Sequence, residues 1–263
     1  MRKYVVIYRS VLMENLQYAA NIAMGFISYF MLSFIFINLW DYMYASPEDL
    51  IAGYTKEQMI WYVMITEMIW FGARSATIRQ QVSADIRGGN IAYLVNKPYC
   101  YPLYILAKYT AEWSIQLPMY AVLTVVIGVT MVGGIPGFRG ITLLAAVPCT
   151  VLGMTIHAVF KICISMLSFW IEDADPFQWL YDKMILVVGT IFPIEIFPAA
   201  LQPVLKLTPI YTVCYGPAKL IADFSAEKCL EILAAQVVYL VLGCGLLFWI
   251  YEKGGRKLYV NGG

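Results

Sequence analysis

Residues 21–40 run for twenty positions without a charged side chain, and this block restricts the fold more than any other feature of the chain. A helix of that length rises about 30 Å, the thickness of a bilayer's hydrocarbon layer. Trp40, Tyr42 and Tyr44 close the block, where amphipathic rings settle at the boundary between hydrocarbon and water. The rest of the chain has the same character. Of its 263 residues, 61% are hydrophobic and 13% charged, and mean hydropathy is +0.69; a soluble domain carries about 25% charged residues. The expected fold class is an all-α polytopic membrane protein.

Six spans are expected in a single transmembrane domain over residues 1–263, at about 21–40, 58–77, 113–132, 143–170, 179–197 and 230–251. The fifth is short and broken by Pro193. Residues 1–20 read differently. On a helical wheel Arg2, Lys3, Arg9, Ser10, Glu14 and Gln17 share an arc of about 140°, opposite Val5, Tyr8, Leu12, Leu16 and Ala19. That pattern fits a helix lying in the membrane interface ahead of the first span. Arg9 and Glu14 interrupt the apolar run and no small-residue cleavage pattern closes it, which argues against a signal peptide.

Orientation follows from Lys and Arg, which are retained on the cytoplasmic side in short loops. With the N-terminus inside, twelve basic residues fall inside and five outside. The first outer loop is acidic, with Asp41, Glu48, Asp49 and Glu57. Both termini are therefore expected in the cytoplasm. The fourth-to-fifth loop is the weak point, because Glu172, Asp173 and Asp175 oppose its single Lys183.

Several chemistries lack their residues. No GxxxxGK[ST] occurs to cradle a nucleotide, and neither HExxH nor GxSxG is present. Six cysteines show no ligand spacing and His157 is the one imidazole, so no metal site is expected. Cys214 and Cys229 share the expected outer loop; free thiols are favoured there over a disulfide. Three ionisable residues fall in or near hydrocarbon, where each is a functional candidate by default. Glu67 sits near the middle of the second span and His157 on the fourth, and both are candidates for a substrate path. Lys161, one turn from His157, is expected to snorkel toward the cytoplasmic end.

Two irregular segments remain. After the second span a helical stretch through residues 80–85 ends at Arg87, Gly88, Gly89 and Asn90, where paired glycines permit a sharp reversal. A short run, Ile91, Ala92, Tyr93, Leu94 and Val95, follows until Lys97 and Pro98 break it, forming a helix–turn–helix suited to docking a partner. Near the outer face, Phe192, Pro193, Phe197, Pro198, Pro203 and Pro209 lie within a segment whose prolines forbid a continuous span. Its apolar fragments suit a re-entrant hairpin.

In this order and spacing the chain resembles the permease subunits of ABC-2 type transporters, closest to bacterial half-size exporter permeases of about this length. The matching pieces are residues 85–98 for the coupling region and residues 192–209 for the outer hairpin. The resemblance implies a non-catalytic subunit in a bacterial plasma membrane, dimerised with an identical or related permease. Its partners would be cytoplasmic ABC ATPase subunits that hold the ATP and Mg, a second permease and membrane lipid, with no nucleic acid and no cofactor in this chain. Arg87, Gly88, Gly89, Asn90, Ile91, Tyr93, Leu94 and Lys97 would couple to the ATPase. Two other readings stay open: a substrate-capturing membrane component of an uptake system, and an intramembrane enzyme, for which only Glu67, His157 and Lys161 supply polar groups.

Overall fold

The computed structural model describes residues 2–17, 19–46, 49–74, 77–171 and 173–261. Its helices are α1 (Arg2–Gln17), α2 (Ala19–Met43), α3 (Lys56–Gly72), α4 (Val82–Arg87), α5 (Asn90–Val95), α6 (Tyr101–Met131), α7 (Gly140–Met166), α8 (Asp175–Ile185), α9 (Gln202–Lys206), α10 (Gly216–Ala222) and α11 (Ala226–Asn261). Among the described residues there is no β-strand, only an isolated bridge between Ile51 and Tyr54. The chain is an all-α membrane protein. Four helical stretches are long and apolar enough to cross a bilayer: Met24–Met43, Tyr101–Met131, Gly140–Phe169 and Ala226–Arg256. These occupy the first, third, fourth and sixth expected positions.

The second and fifth positions are built differently. Helix α3 has 17 residues and stops at Gly72 instead of continuing to residue 77. A capping box starts it: the Gln58 amide donates to Thr55 Oγ1 and the Thr55 amide to Gln58 Oε1. Residues 59–67 of α3 are all buried, which explains a helix that is apolar on every side. It is the central post, with α2, α6 and α10 packed around it. At the fifth position α8 passes into a π-helical stretch, Leu186–Ile191, and the helix breaks at Phe192, earlier than residue 197.

Helix α6 begins at Tyr101 instead of near residue 113, and its 31 residues rise about 46 Å. Lys108 and Glu112 make its first turns too polar to read as a span, yet those turns are where α1 packs. Tyr4, Ile7, Tyr8, Val11, Leu12 and Asn15, at helical spacing, form the covered side of α1, while Val5, Val6, Met13 and Leu16 stay exposed. The expected single apolar arc is thus divided between a protein contact and an exposed apolar edge.

Glycine permits the closest helix approaches. Gly128 of α6 lies under the Trp61 ring of α3, and a Cβ at Gly153 of α7 would meet the carbonyl oxygens of Val213 at 2.9 Å and Thr212 at 3.0 Å. Those carbonyls belong to a second π-helical stretch, Tyr211–Tyr215, which leads into α10.

Candidate functional site

The proline-rich segment, residues 192–209, begins where α8 fails, and the failure leaves backbone groups to be satisfied. In a continuing helix the Gly189 carbonyl would accept from the amide of residue 193. Pro193 has no N–H. Helix α3 supplies the missing donors: Tyr62 Oη donates to the Gly189 carbonyl at 2.8 Å, and one turn on, Thr66 Oγ1 lies 2.8 Å from the Thr190 carbonyl. A related gap arises in the wider π-helical register, where the Gly216 amide bonds to the Tyr211 carbonyl five residues back, at Pro217. It cannot donate to the Thr212 carbonyl, and Gln236 of α11 does so instead at 2.9 Å, while also donating to the Cys149 carbonyl at 2.8 Å. Buried broken backbone is tolerated because protein side chains re-satisfy it.

Beyond the break, residues 194–196 form a 3₁₀ turn and α9 follows. Phe192 and Phe197 pack half-buried against the core, and Gln202 Nε2 donates to the Phe197 carbonyl at 2.9 Å. Pro193 is buried, whereas Pro198 is exposed; Pro203, at the start of α9, is also exposed, and Pro209, ahead of the second π-helical stretch, is half-buried.

A polar cluster fixes this segment to its surroundings. Glu195 accepts from Tyr215 Oη at 2.7 Å and from Tyr54 Oη at 3.3 Å, and lies 3.3 Å from Lys219 Nζ. The Lys219 side chain is 6% exposed and also pairs with Asp223 at 2.9 Å. Its ammonium sits 4.0 Å from the centre of the Tyr54 ring, and Lys228 pairs with Asp223 at 3.0 Å. Burial would raise the Asp223 pKa, but the hydrogen bonds and charges of Lys219 and Lys228 outweigh it and hold the carboxyl below its ordinary value. Only the Lys219 ammonium is enclosed here, with Glu195 29%, Asp223 40% and Lys228 43% exposed, so the Lys228–Asp223 pair contributes about 0–1 kcal/mol and the costly change is one that strands Lys219. Sequence reasoning missed Tyr54, Tyr62, Glu195, Tyr215, Lys219 and Gln236. The usable signal was the missing amides of Pro193 and Pro217, each of which demands a donor from another helix.

Glu67 and His157, the buried ionisable residues expected on a path, lie on separate helices, α3 and α7. Glu67 is 2% exposed and its Oε2 has no hydrogen-bond partner. His157 is also 2% exposed, with its ring stacked on Tyr181 at 5.6 Å between centroids and its Nδ1 unpartnered. No hydrogen bond joins the two among the described residues. The expectation that Lys161 snorkels is corrected: its side chain is 9% exposed and pairs with Asp182 of α8 at 3.0 Å. An in-bundle carboxylate removes the reason for the ammonium to reach for water. Cys214 is a buried free thiol and Cys229 a half-buried one. Among the described residues no group of three His, Cys, Asp or Glu could hold a metal ion.

Helices α4 and α5 form the expected helix–turn–helix. Gly89 turns the chain at φ 74°, a left-handed conformation that glycine takes without strain. Arg87, Gly88, Gly89, Asn90, Ala92 and Tyr93 are exposed. Two assignments change here. Ile91 is fully buried and Leu94 half-buried against the core, so these side chains anchor α5 to its own chain and offer no free apolar face. Lys97 Nζ donates to Tyr93 Oη and sits over its ring. Helix α1 braces the far end: Lys3 donates to the Pro98 carbonyl, and Tyr4 Oη accepts from the Cys100 amide at 2.9 Å.

Arg87 lies 3.7 Å from Asp173 and 3.9 Å from Asp175, which brings the α4–α5 loop and the loop after α7 to one side. Glu172, part of the same acidic run, lies outside the described residues, as does Glu48 of the first loop. The sequence profile described as ABC-2 family transporter protein matches residues 12–262. No curated protein compared with the chain matches it.

Proposed function

Because the chain belongs to the ABC-2 family of transporter proteins, the membrane component of ABC transporters, we propose that it is an exporter permease that works as a dimer and is driven by separate cytoplasmic ATPase subunits. Members of this family are generally non-catalytic and associate with an ABC ATPase. In this reading ATP and Mg reside on that partner, and the chain sits in a bacterial inner membrane with both termini in the cytoplasm.

The observation that carries the reading is the α4–α5 hairpin. Arg87, Gly88, Gly89, Asn90 and Tyr93 project from a base set by buried Ile91 and by the α1 contacts at Pro98 and Cys100. A projecting, braced element of this kind can receive a push and pass it on, whereas a solvated loop would absorb it. Nucleotide-driven closure of the ATPases would move α5, and the packed helices would convert that motion into a change between two arrangements.

The outer segment, residues 192–209, would serve as a re-entrant gate, with α3 and the α8 stretch completing six crossings. Its ties to α3 and α10 are polar and discrete, so they can be exchanged as units. Glu67, on the buried post between the two ends, would line or sense the path, and His157 would sit beside it on α7.

The test is purification of the affinity-tagged chain from its native cells in mild detergent. An ABC ATPase is expected to accompany it in equal amount. Recovery of a transport-active permease with no ATPase would defeat the proposal.

A further inference from the structure

We infer that the groove between the inner ends of α7 and α11 is a binding site for an anionic phospholipid. The groove has a volume of about 690 Å³, within the range of built ligand sites. Phe160, Ile164 and Leu167 line one wall and Trp249 the other, with Trp170 and Lys253 at the mouth. From residue 160 to residue 170 the wall rises about 15 Å, enough for most of an acyl chain. The Phe169 ring lies directly against Gly254, which brings the two helices together beside the mouth.

The charge at the mouth sets the class of ligand. Arg256 pairs with Glu252, one turn earlier on α11, where both side chains are 67% exposed, and Lys253 makes no ion pair among the described residues. Trp170 and Trp249 are 41% and 58% exposed, and aromatic rings of this kind settle at headgroup level. A zwitterionic lipid would fill the apolar part but bring its own cation beside its phosphate, in competition with the ammonium. An anionic headgroup satisfies both, as basic pockets between membrane helices do.

The test uses the full chain in phosphatidylcholine vesicles carrying graded amounts of brominated phosphatidylglycerol or brominated phosphatidylcholine. Bromine quenches tryptophan on contact, and the signal of Trp170 and Trp249 is isolated by subtracting a Trp170→Phe, Trp249→Phe variant. Brominated phosphatidylglycerol should half-quench at a mole fraction about fivefold lower than brominated phosphatidylcholine, the preference expected from one lysine near the headgroups. Lys253→Gln should bring the two lipids to parity, and Lys253→Arg should keep the preference. Equal quenching by both lipids in the unaltered chain would overturn the inference and make the groove a site for ordinary bilayer lipid. A preference that survives Lys253→Gln would overturn it as well. Both vesicle leaflets hold the same lipids, so neither outcome depends on the orientation of the chain.

Discussion

The guanidinium of Arg87 faces the carboxylate of Asp173 across 3.7 Å, joining the loop that follows α3 to the loop that follows α7. Both side chains are roughly half exposed, and ion pairs in that setting contribute about 0–1 kcal/mol. The pair therefore says little about stability and much about placement. The acidic run after α7 argued against an inside position when read alone, but it lies beside a basic residue of the most basic loop in the chain.

If both loops are cytoplasmic, a cysteine at Ser46, exposed after α2, should react with an impermeant maleimide in intact cells. A cysteine at Ala92, exposed on α5, should react only after the membrane is opened. Labelling of Ala92→Cys in intact cells with protection of Ser46→Cys would invert the topology.

The contact between Tyr62 and the Gly189 carbonyl makes a thermodynamic prediction. Tyr62→Phe leaves a buried acceptor unsatisfied and should lower stability by about 1–3 kcal/mol, read as a drop in melting temperature in detergent. Pro193→Ala returns an amide to the position that Tyr62 serves. In that background Tyr62→Phe should cost clearly less, so the two effects should not add. Strict additivity would mean that Tyr62 does not cap the broken helix.

Gly153→Ala places a methyl group against the carbonyl oxygens of Val213 and Thr212, which are backbone and yield little. A loss of about 1–3 kcal/mol is expected. Gly245 meets nothing within 4 Å, and Gly245→Ala on α11 is expected to melt like the parent. Equal melting of both variants would show that α7 does not approach the π-helical stretch so closely.

Glu67 is a carboxylate enclosed on the central post with one oxygen unpartnered. Glu67→Gln preserves its shape and removes its capacity for charge, so expression and assembly should be normal while the ATPase activity of the assembled complex changes. Unchanged activity at normal expression would reduce Glu67 to a packing residue.

The first, third, fourth and sixth spans were legible because each carries enough uncharged length to cross hydrocarbon by itself. The α4–α5 turn was legible because paired glycines mark a reversal locally. What the sequence did not disclose depends on partners distant along the chain. Lys161 read as a residue reaching for water until Asp182, on another helix, appeared beside it. Ile91 and Leu94 read as a free apolar face because a short helix gives no sign of which side its own protein covers. The outer prolines announced a break, but the tyrosine, threonine and glutamine that repair it lie on α3 and α11.

If α5 receives the work of an ATPase, Tyr93 is the residue that isolates the contact. Tyr93 is 65% exposed, so its replacement leaves the fold intact, whereas a change at half-buried Leu94 would disturb the chain itself. Tyr93→Asp places a carboxylate in what would become a desolvated contact, at a cost of about 2 kcal/mol, or roughly a thirtyfold loss of affinity. The measurement is the amount of ATPase recovered with the tagged permease in detergent, unaltered and with Tyr93→Asp, at matched permease yield. Recovery should collapse with Tyr93→Asp while the permease itself purifies and melts normally. Undiminished ATPase recovery, with unchanged ATPase activity of the assembled complex, would contradict that role for α5.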